Sequence, residues 1–263
     1  MPESGSNSFG RDVRVEHDAG VAVVTIDRPE VRNAIGSATV DALATALDHV
    51  EESSAAVLVL RGGGDRAFVS GGDLKELNAI RKYEDAVQMA SRMRKLLDRV
   101  AAFPIPVIAA LNGHALGGGA EVAIAADIRV AADDIKIGFN QVTLGIMPAW
   151  GGAERLAHAI GRSRALLAIA TGELYDAPTA HRLGLVDLVV PRATFDAEWR
   201  RLAHRMAATA PGATRAVKSV VGAAIPSYHP DLEEGATAAF AELWMADAHW
   251  AAVEAFDQKR RTI

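Results

Sequence analysis

The sequence predicts an α/β fold with an α/β core followed by a helical C-terminal region. Three observations support this prediction: a size and composition that allow a large core, short β-branched runs that alternate with helical patterns, and a change to alanine-rich helices after Trp150. With 263 residues, of which 50% are hydrophobic, the chain can bury one large core or a main domain with a small appendage.

The first elements form a β-α-β beginning. Residues 1–10 are mostly small and polar, which predicts a disordered leader. Val21–Ile26 and Val57–Leu60 are rich in β-branched residues and predict buried strands. Between them, apolar residues recur at helical spacing over Ser37–Glu52, which predicts a helix that connects the two strands.

The same alternation continues through the middle of the chain. Helical spacing over Lys82–Ala102 ends before Pro104 and Pro106, because proline breaks a helix, and Val107–Leu111 is again typical of a strand. The apolar stretch Gly117–Ala126 predicts a buried helix. Two further short strands are predicted at Ile128–Ala131 and Ile135–Ile137.

From Trp150 onward the sequence favours helices. Alanine-rich stretches separated by glycine or proline lie at 153–170, 177–183, 195–210, 213–225 and 231–260. We therefore expect a leader over 1–10, an α/β core over 11–200 and a helical region over 201–263. The last region is apolar enough to pack against the core or a neighbour, and predicts an oligomer. Its large apolar residues are Phe240, Leu243, Trp244, Met245, Trp250 and Phe256.

Charge and composition exclude several classes of function. The net charge of -5 and the scattered basic residues disfavour a nucleic-acid partner. No apolar run approaches the roughly 20 residues that span a bilayer, and the N-terminus lacks a signal segment, so we expect no membrane partner and a cytoplasmic location. The absence of cysteine excludes disulfides and thiolate ligands, and no His, Asp and Glu set has metal-ligand spacing.

Two glycine clusters each follow a predicted buried strand. The first is 61–73 (RGGGDRAFVSGGD) and the second is 112–121 (NGHALGGGAE). Glycine allows close approach of a ligand to the backbone, and unpaired amides at the start of a helix can bind an oxyanion. Each cluster alone is also consistent with a simple turn. Because there are two of them, the sequence favours one pocket lined by backbone amides.

Nucleotide-binding loops do not account for these clusters. Neither has the lysine and hydroxyl residue of a Walker loop, and neither has the G-x-G-x-x-G pattern. Instead, Glu121 follows Gly118 by about one helical turn, inside the apolar run Ala120–Ala126. A buried carboxylate must be paired, protonated or functional, so Glu121 is a candidate catalytic residue. We interpret His114 as a hydrogen-bonded structural histidine.

The order of these motifs resembles the enoyl-CoA hydratase/isomerase (crotonase) superfamily over nearly the whole chain. Arg28–Ile35 resembles its early coenzyme A loop, and Phe68–Leu74 and Leu116–Glu121 resemble its two oxyanion segments. Further matches are Leu144–Pro148 with Gly151-Gly152 and Arg155-Leu156, the turn Gly184–Asp187, and the closing helix Ala255–Arg260. The resemblance implies a superhelix of β-β-α turns with a helical C-terminal trimerisation region, and a homotrimer or dimer of trimers.

The same resemblance implies roles for individual residues. It makes the amides of Gly72 and Gly118 the oxyanion donors and Glu121 the first of the two glutamates of the hydratases. It implies no cofactor apart from the coenzyme A of the substrate. Substrate-binding positions carried over from the matching motifs are Arg32, Ala34, Ser70, Gly71, Asp73, Leu74, Trp150 and Lys259.

One position departs from the family pattern. Hydratases carry a Pro-Glu pair before the Leu-Gly-Ile segment, and a gapless alignment places Asn140-Gln141 there. Gln141 can form hydrogen bonds but cannot deliver a proton. Three hypotheses follow for an acyl-CoA ligand: a lyase of enoyl-CoA hydratase type, a decarboxylase of a malonyl-type thioester, and an acyl-CoA-binding protein with little turnover. The segment Pro148–Gly152 resembles that of some family decarboxylases.

Overall fold

A computed structural model describes residues 6–223 and 230–261 of the chain. The helices that bear on the site are α1 (Ser37–Glu52), α2 (Leu74–Leu77), α3 (Tyr83–Ala101), α4 (Gly118–Ala125) and α5 (Gly152–Ile160). The remaining α-helices among the described residues are α6 (Arg162–Thr171), α7 (Ala177–Leu183), α8 (Phe195–Ala207), α9 (Pro211–Ala223), α10 (Pro230–Met245) and α11 (Asp247–Arg261).

The strands form two sheets. Their bounds are β1 (Ser6–Phe9), β2 (Val13–Asp18), β3 (Val21–Ile26), β4 (Val57–Gly62), β5 (Ala67–Val69), β6 (Val107–Leu111), β7 (His114–Leu116), β8 (Ile128–Ala132), β9 (Lys136–Gly138), β10 (Tyr175–Asp176) and β11 (Leu188–Val190). In the described part of the chain, the larger sheet has the order β1-β2-β3-β4-β6-β8-β11 and the smaller sheet has the order β10-β9-β7-β5.

The predicted β-β-α turns are confirmed by the way successive strands divide between these sheets. β4, β6 and β8 lie in the larger sheet, and the strands that follow them, β5, β7 and β9, lie in the smaller sheet. Helices follow the first two of these strand pairs directly. β3, β4, β6 and β8 pair in parallel and are almost wholly buried, which explains their continuous apolar sequences.

The two glycine clusters lie together because β5 and β7 are neighbours. These strands pair in parallel, with Ala67 opposite His114 and Val69 opposite Ala115. The chain therefore leaves both strands at the same edge of the small sheet. Gly71-Gly72 after β5 and Gly117-Gly118 after β7 meet at that edge.

The predicted disordered leader is wrong for residues 6–9, and residues 1–5 lie outside the described residues. Ser6–Phe9 forms β1, which pairs antiparallel with β2, and Gly10 makes the turn between them with a φ of 60°. The sequence did not indicate this strand because its side chains are mostly exposed and polar. Its pairing instead uses backbone groups, which every residue carries.

The C-terminal helices pack against the core of the same chain. α10 packs on α3, and α11 packs on a 3-10 turn at Asn140–Leu144. Phe240 and Trp244 are buried, whereas Leu243, Met245 and Phe256 are each about 40% exposed. The boundary that we predicted after residue 200 falls inside α8, and the stretches 153–170 and 231–260 are each divided into two helices. Within 6–223 and 230–261, no helix is long and apolar enough to cross a membrane.

Candidate active site

The loop at Gly71–Asp73 is fixed against the segment Ala34–Ile35. The N–H of Ile35 donates to the carbonyl of Gly71 at 2.8 Å, and the N–H of Asp73 donates to the carbonyl of Ile35 at 2.9 Å. In this parallel, strand-like bridge, Gly71 and Asp73 make both hydrogen bonds to Ile35. The N–H of Gly72, which lies between them, therefore points away from Ile35. Gly71 has a φ of 108°, a conformation that favours glycine.

Two backbone amides at this place have no acceptor in the described part of the chain. Neither the N–H of Gly72 nor that of Gly118 donates a hydrogen bond to any residue of 6–223 or 230–261. Gly118 is also the first residue of α4, where the helix dipole places partial positive charge. A Cβ at Gly71 would lie 3.5 Å from the Gly118 nitrogen, so the two loops are in contact. Together they can bind an oxygen that gains negative charge.

Glu121 projects from the first turn of α4 into a buried environment. Its side chain is almost wholly buried, and its Oε2 accepts hydrogen bonds from the N–H groups of Trp150 at 2.7 Å and Gly152 at 2.9 Å. Burial raises the pKa of Glu121 from 4.5 to about 7, against the opposing effect of these hydrogen bonds and of Arg155. A carboxyl group with this pKa can both accept and release a proton near neutral pH.

Gln141 contacts Glu121 directly. It lies on the turn Asn140–Leu144 and is 8% exposed, and its Nε2 donates to Oε1 of Glu121 at 2.9 Å. Its Oε1 is buried and has no hydrogen-bond partner among the described residues. The pair therefore leaves a buried acceptor beside the carboxyl group, where a bound hydroxyl or water can donate.

A buried arginine fixes the segment that binds Glu121. Nη1 of Arg155 donates to the carbonyl of Trp150 at 2.8 Å, and its Nη2 is paired with Asp98 on α3. The neighbouring Arg94 donates from Nη1 to Oε1 of Glu154 at 2.7 Å. We did not predict these roles, because opposite charges on separate helices are paired only in the folded protein.

A cavity of about 470 Å³ is lined in part by Gly72. Its apolar lining residues are Ile35, Val40, Leu77, Ala79, Ile80, Met89, Met93 and Trp150. Glu121 and Gln141 are not among the residues that line it. Trp150 connects Glu121 to the cavity, since Trp150 lines the cavity and its N–H donates to Glu121. A Cβ at Gly118 would lie 2.3 Å from the Trp150 ring, so this packing requires glycine at position 118.

The predicted coenzyme A loop lies next to the segment that contains Gly71 and Gly72. Ser70 donates from its N–H to the carbonyl of Arg32 at 3.1 Å. Arg28 joins the two loops, because it donates from Nη1 to the carbonyl of Ala34 at 2.6 Å and from Nη2 to Asp73 at 3.0 Å. The Asp73 carboxylate also accepts from the N–H of Lys75 at the start of α2. The Asp73 side chain therefore helps to hold the loop Gly71–Asp73 in place.

Other predicted residues lie at the edge of this arrangement or outside it. Arg32 is exposed and lines a smaller cavity of about 250 Å³ with residues 63–67, and Leu74 is partly exposed at the start of α2. Lys259 is exposed on α11, and among the described residues it makes no hydrogen bond to the predicted site. His114 accepts at Nδ1 from the N–H of Lys136 at 3.0 Å, so it is hydrogen-bonded as predicted.

Comparison with known proteins shows the family of the chain. Residues 16–262 match the family model described as enoyl-CoA hydratase/isomerase. The chain belongs to the enoyl-CoA hydratase/isomerase family. The sequence match therefore shows an enzyme of this family. The two sheets and the C-terminal helices are those of the crotonase fold.

Individual members of the enoyl-CoA hydratase/isomerase family cover nearly the whole chain. The enoyl-CoA isomerase/hydratase fer4 of Mycosarcoma maydis is 37% identical over 257 residues, with 93% of this chain and 92% of that protein covered. The short-chain-enoyl-CoA hydratase of Clostridium acetobutylicum is 33% identical, with 95% and 96% covered. The crystal structure of an enoyl-CoA hydratase from Bacillus anthracis matches with a TM-score of 0.80 and 31% identity, over 95% of this chain and 97% of that one.

The raised pKa of Glu121 predicts a pH-dependent stability for this family member. Between about 4.5 and about 7 the folded state retains a proton on Glu121 that the unfolded state has lost, so the free energy of unfolding falls as pH rises through this range. Glu121→Gln removes the titrating group and is expected to remove this component of the slope. Thermal unfolding of both proteins from pH 4 to pH 8 measures it. Parallel curves for the two proteins would contradict the raised pKa.

Proposed function

We propose that this enzyme is an acyl-CoA lyase of enoyl-CoA hydratase type, which adds water across the α,β-double bond of an enoyl-CoA thioester. The main observation in support is the buried Glu121, with a pKa of about 7, in contact with Gln141 and one helical turn from the free Gly118 amide. The acyl-CoA substrate is inferred from membership of the enoyl-CoA hydratase/isomerase family.

In the proposed reaction, the thioester oxygen accepts hydrogen bonds from the N–H groups of Gly72 and Gly118. Attack of water on the β-carbon moves negative charge onto that oxygen, where these amides stabilise the enolate. Glu121 takes the proton of the attacking water, so the β-carbon gains a hydroxyl group. No cofactor is needed, because coenzyme A is part of the substrate.

Gln141 occupies, in this proposal, the position of the second glutamate of the hydratases. Since an amide cannot supply a proton, Glu121 returns the proton it took from water to the α-carbon and completes the addition. Gln141 then serves to orient the reacting groups: its Nε2 donates to Oε1 of Glu121, and its own Oε1, which has no partner among the described residues, accepts a hydrogen bond from the water. One carboxyl group thus acts first as base and then as acid.

Decarboxylation of a malonyl-type thioester is the second candidate. The absence of an acid at Gln141 favours it, since loss of carbon dioxide produces the enolate without a proton donor. A substrate carboxylate bound at Gln141 would, however, lie close to Oε1 of Glu121, and when Glu121 is ionised the two like charges repel each other. The geometry therefore supports hydration better.

Product analysis by mass spectrometry tests these alternatives. Crotonyl-CoA and either methylmalonyl-CoA or ethylmalonyl-CoA are incubated with the protein, and titration calorimetry measures the binding of each. We expect crotonyl-CoA to gain one water. Loss of carbon dioxide from the malonyl-type thioester alone would favour the decarboxylase, and tight binding without any product would favour the acyl-CoA-binding protein.

We also propose that the protein is a homotrimer or a dimer of trimers. Several apolar side chains of the described residues are more than half exposed, which is costly for an isolated chain. They are Leu166 and Leu167 on α6, and Val217, Val220 and Val221 on α9. Sedimentation equilibrium distinguishes these assemblies from a monomer.

A further inference from the structure

His249, near the start of α11, contacts the turn that carries Gln141. Its side chain is almost wholly buried, and its Nδ1–H donates to the carbonyl of Leu144 at 2.6 Å. Burial lowers the pKa of His249, so the imidazole is neutral, and the bond to Leu144 fixes the tautomer with the proton on Nδ1. Its Nε2 is buried without a hydrogen-bond partner among the described residues. Within the described residues, the His249 imidazole therefore makes one hydrogen bond, to the Leu144 carbonyl.

The Leu144 carbonyl, which His249 binds, lies at the end of the turn Asn140–Leu144 that carries Gln141. Gly145 ends the turn in a left-handed conformation, with a φ of 68°, and a Cβ there would lie 3.2 Å from Cα of His249. The next residue, Ile146, donates from its N–H to the carbonyl of Gln141 at 3.3 Å. The segment 144–146 is thus bonded to Gln141 on one side and packed against His249 on the other.

Aromatic contacts hold the His249 ring in place. Its centroid lies 4.5 Å from that of Trp244 and 4.7 Å from that of Trp250. Trp244 donates from Nε1 to the carbonyl of Ile80 at 3.3 Å, and the Arg81 guanidinium lies 3.6 Å from the Trp250 ring. Ile80 itself lines the large cavity. His249 therefore belongs to a packed cluster that joins the C-terminal helices to both the cavity wall and the Gln141 turn.

We propose that His249 is a positioning residue, which holds the turn Asn140–Leu144 so that the Gln141 amide remains bonded to Glu121. This inference rests on the proposed function, because it assumes that the contact between Gln141 and Glu121 matters for turnover. The Leu144 carbonyl and the Gln141 side chain belong to one short turn, so a shift of the first moves the second. Displacements of about 1 Å at a reacting group are enough to slow catalysis strongly.

His249→Leu tests this role, with two controls. We expect kcat for crotonyl-CoA hydration to fall about ten- to a hundredfold, with KM nearly unchanged, since the change misplaces a group used in the chemical step. His249→Asn retains a side-chain N–H near the Nδ1 position and is expected to restore most of kcat. Phe240→Leu, a buried change in the same tail that spares the bond to Leu144, controls for loss of packing.

A double-mutant cycle separates positioning from general destabilisation. If His249 acts through Gln141, then His249→Leu has little further effect in a Gln141→Ala background, whereas independent effects multiply. Hydrogen exchange of the peptide covering residues 140–147 gives a readout without turnover. It is expected to rise in His249→Leu and to return towards wild type in His249→Asn.

Three results would overturn the inference: unchanged kcat and unchanged exchange in His249→Leu, multiplicative effects in the double mutant, or equal impairment of the asparagine and leucine variants. Failure of the proposed function is distinguishable from all of these. In that case the wild-type protein adds no water to crotonyl-CoA, and the exchange measurements alone decide whether His249 holds the turn.

Discussion

Replacing Glu121 by glutamine is expected to lower the rate of crotonyl-CoA hydration by about two to four orders of magnitude, the usual contribution of a general acid or base. The loss is large because, in the proposed reaction, one carboxyl group makes both proton transfers. Glutamine has nearly the same shape but cannot carry a proton. The measurement is kcat and kcat/KM for hydration in wild type and Glu121→Gln, at equal folding by circular dichroism.

Glu154→Gln is a matched control for this experiment. Glu154 lies nearby on α5, but its carboxylate is bonded to Arg94 and not to Gln141 or Trp150. The same change of residue at position 154 is expected to affect stability more than kcat. Binding of crotonyl-CoA by calorimetry should persist in Glu121→Gln, because the oxyanion amides are unchanged. A rate within tenfold of wild type for Glu121→Gln would remove Glu121 from the chemical step.

The second large effect is expected from Gln141→Glu, which places two carboxyl groups in contact. Nε2 of Gln141 lies 2.9 Å from Oε1 of Glu121, so a glutamate there shares one proton with Glu121, and one member of the pair stays protonated at neutral pH. That member can protonate the α-carbon. If lack of a second acid limits hydration, the rate rises by about two to four orders of magnitude.

The decarboxylase alternative predicts the opposite change. If Gln141 binds a substrate carboxylate, the new negative charge repels it and carbon dioxide release is abolished. The rates of water addition and carbon dioxide release are therefore measured for both proteins. Gln88→Glu is the matched control, because Gln88 lines the cavity without bonding Glu121. If the rates of both reactions are the same in Gln141→Glu as in wild type, Gln141 lies outside the active site.

Much of the fold followed from local sequence patterns. The bounds of α1 and of the strand Val107–Leu111 were predicted to the residue, because each has a regular apolar pattern whose ends are marked by breakers or changes of composition. The glycine clusters and Glu121 were identified for a similar reason. A glutamate in an otherwise apolar helix conflicts with its surroundings. Such a conflict can be recognised from the sequence alone and marks a candidate site.

Contacts between distant segments were decided only by the tertiary structure. The sequence did not show that β5 and β7 pair, which brings Gly72 and Gly118 together, or that Arg28 joins the loops at Ala34 and Asp73. It also gave no sign of β1, of Arg155 behind Trp150, or of His249 against the Gln141 turn. A local pattern records which face of an element is buried, but not which other element covers it. The partners of a backbone amide or a buried charge are fixed only when the whole core packs.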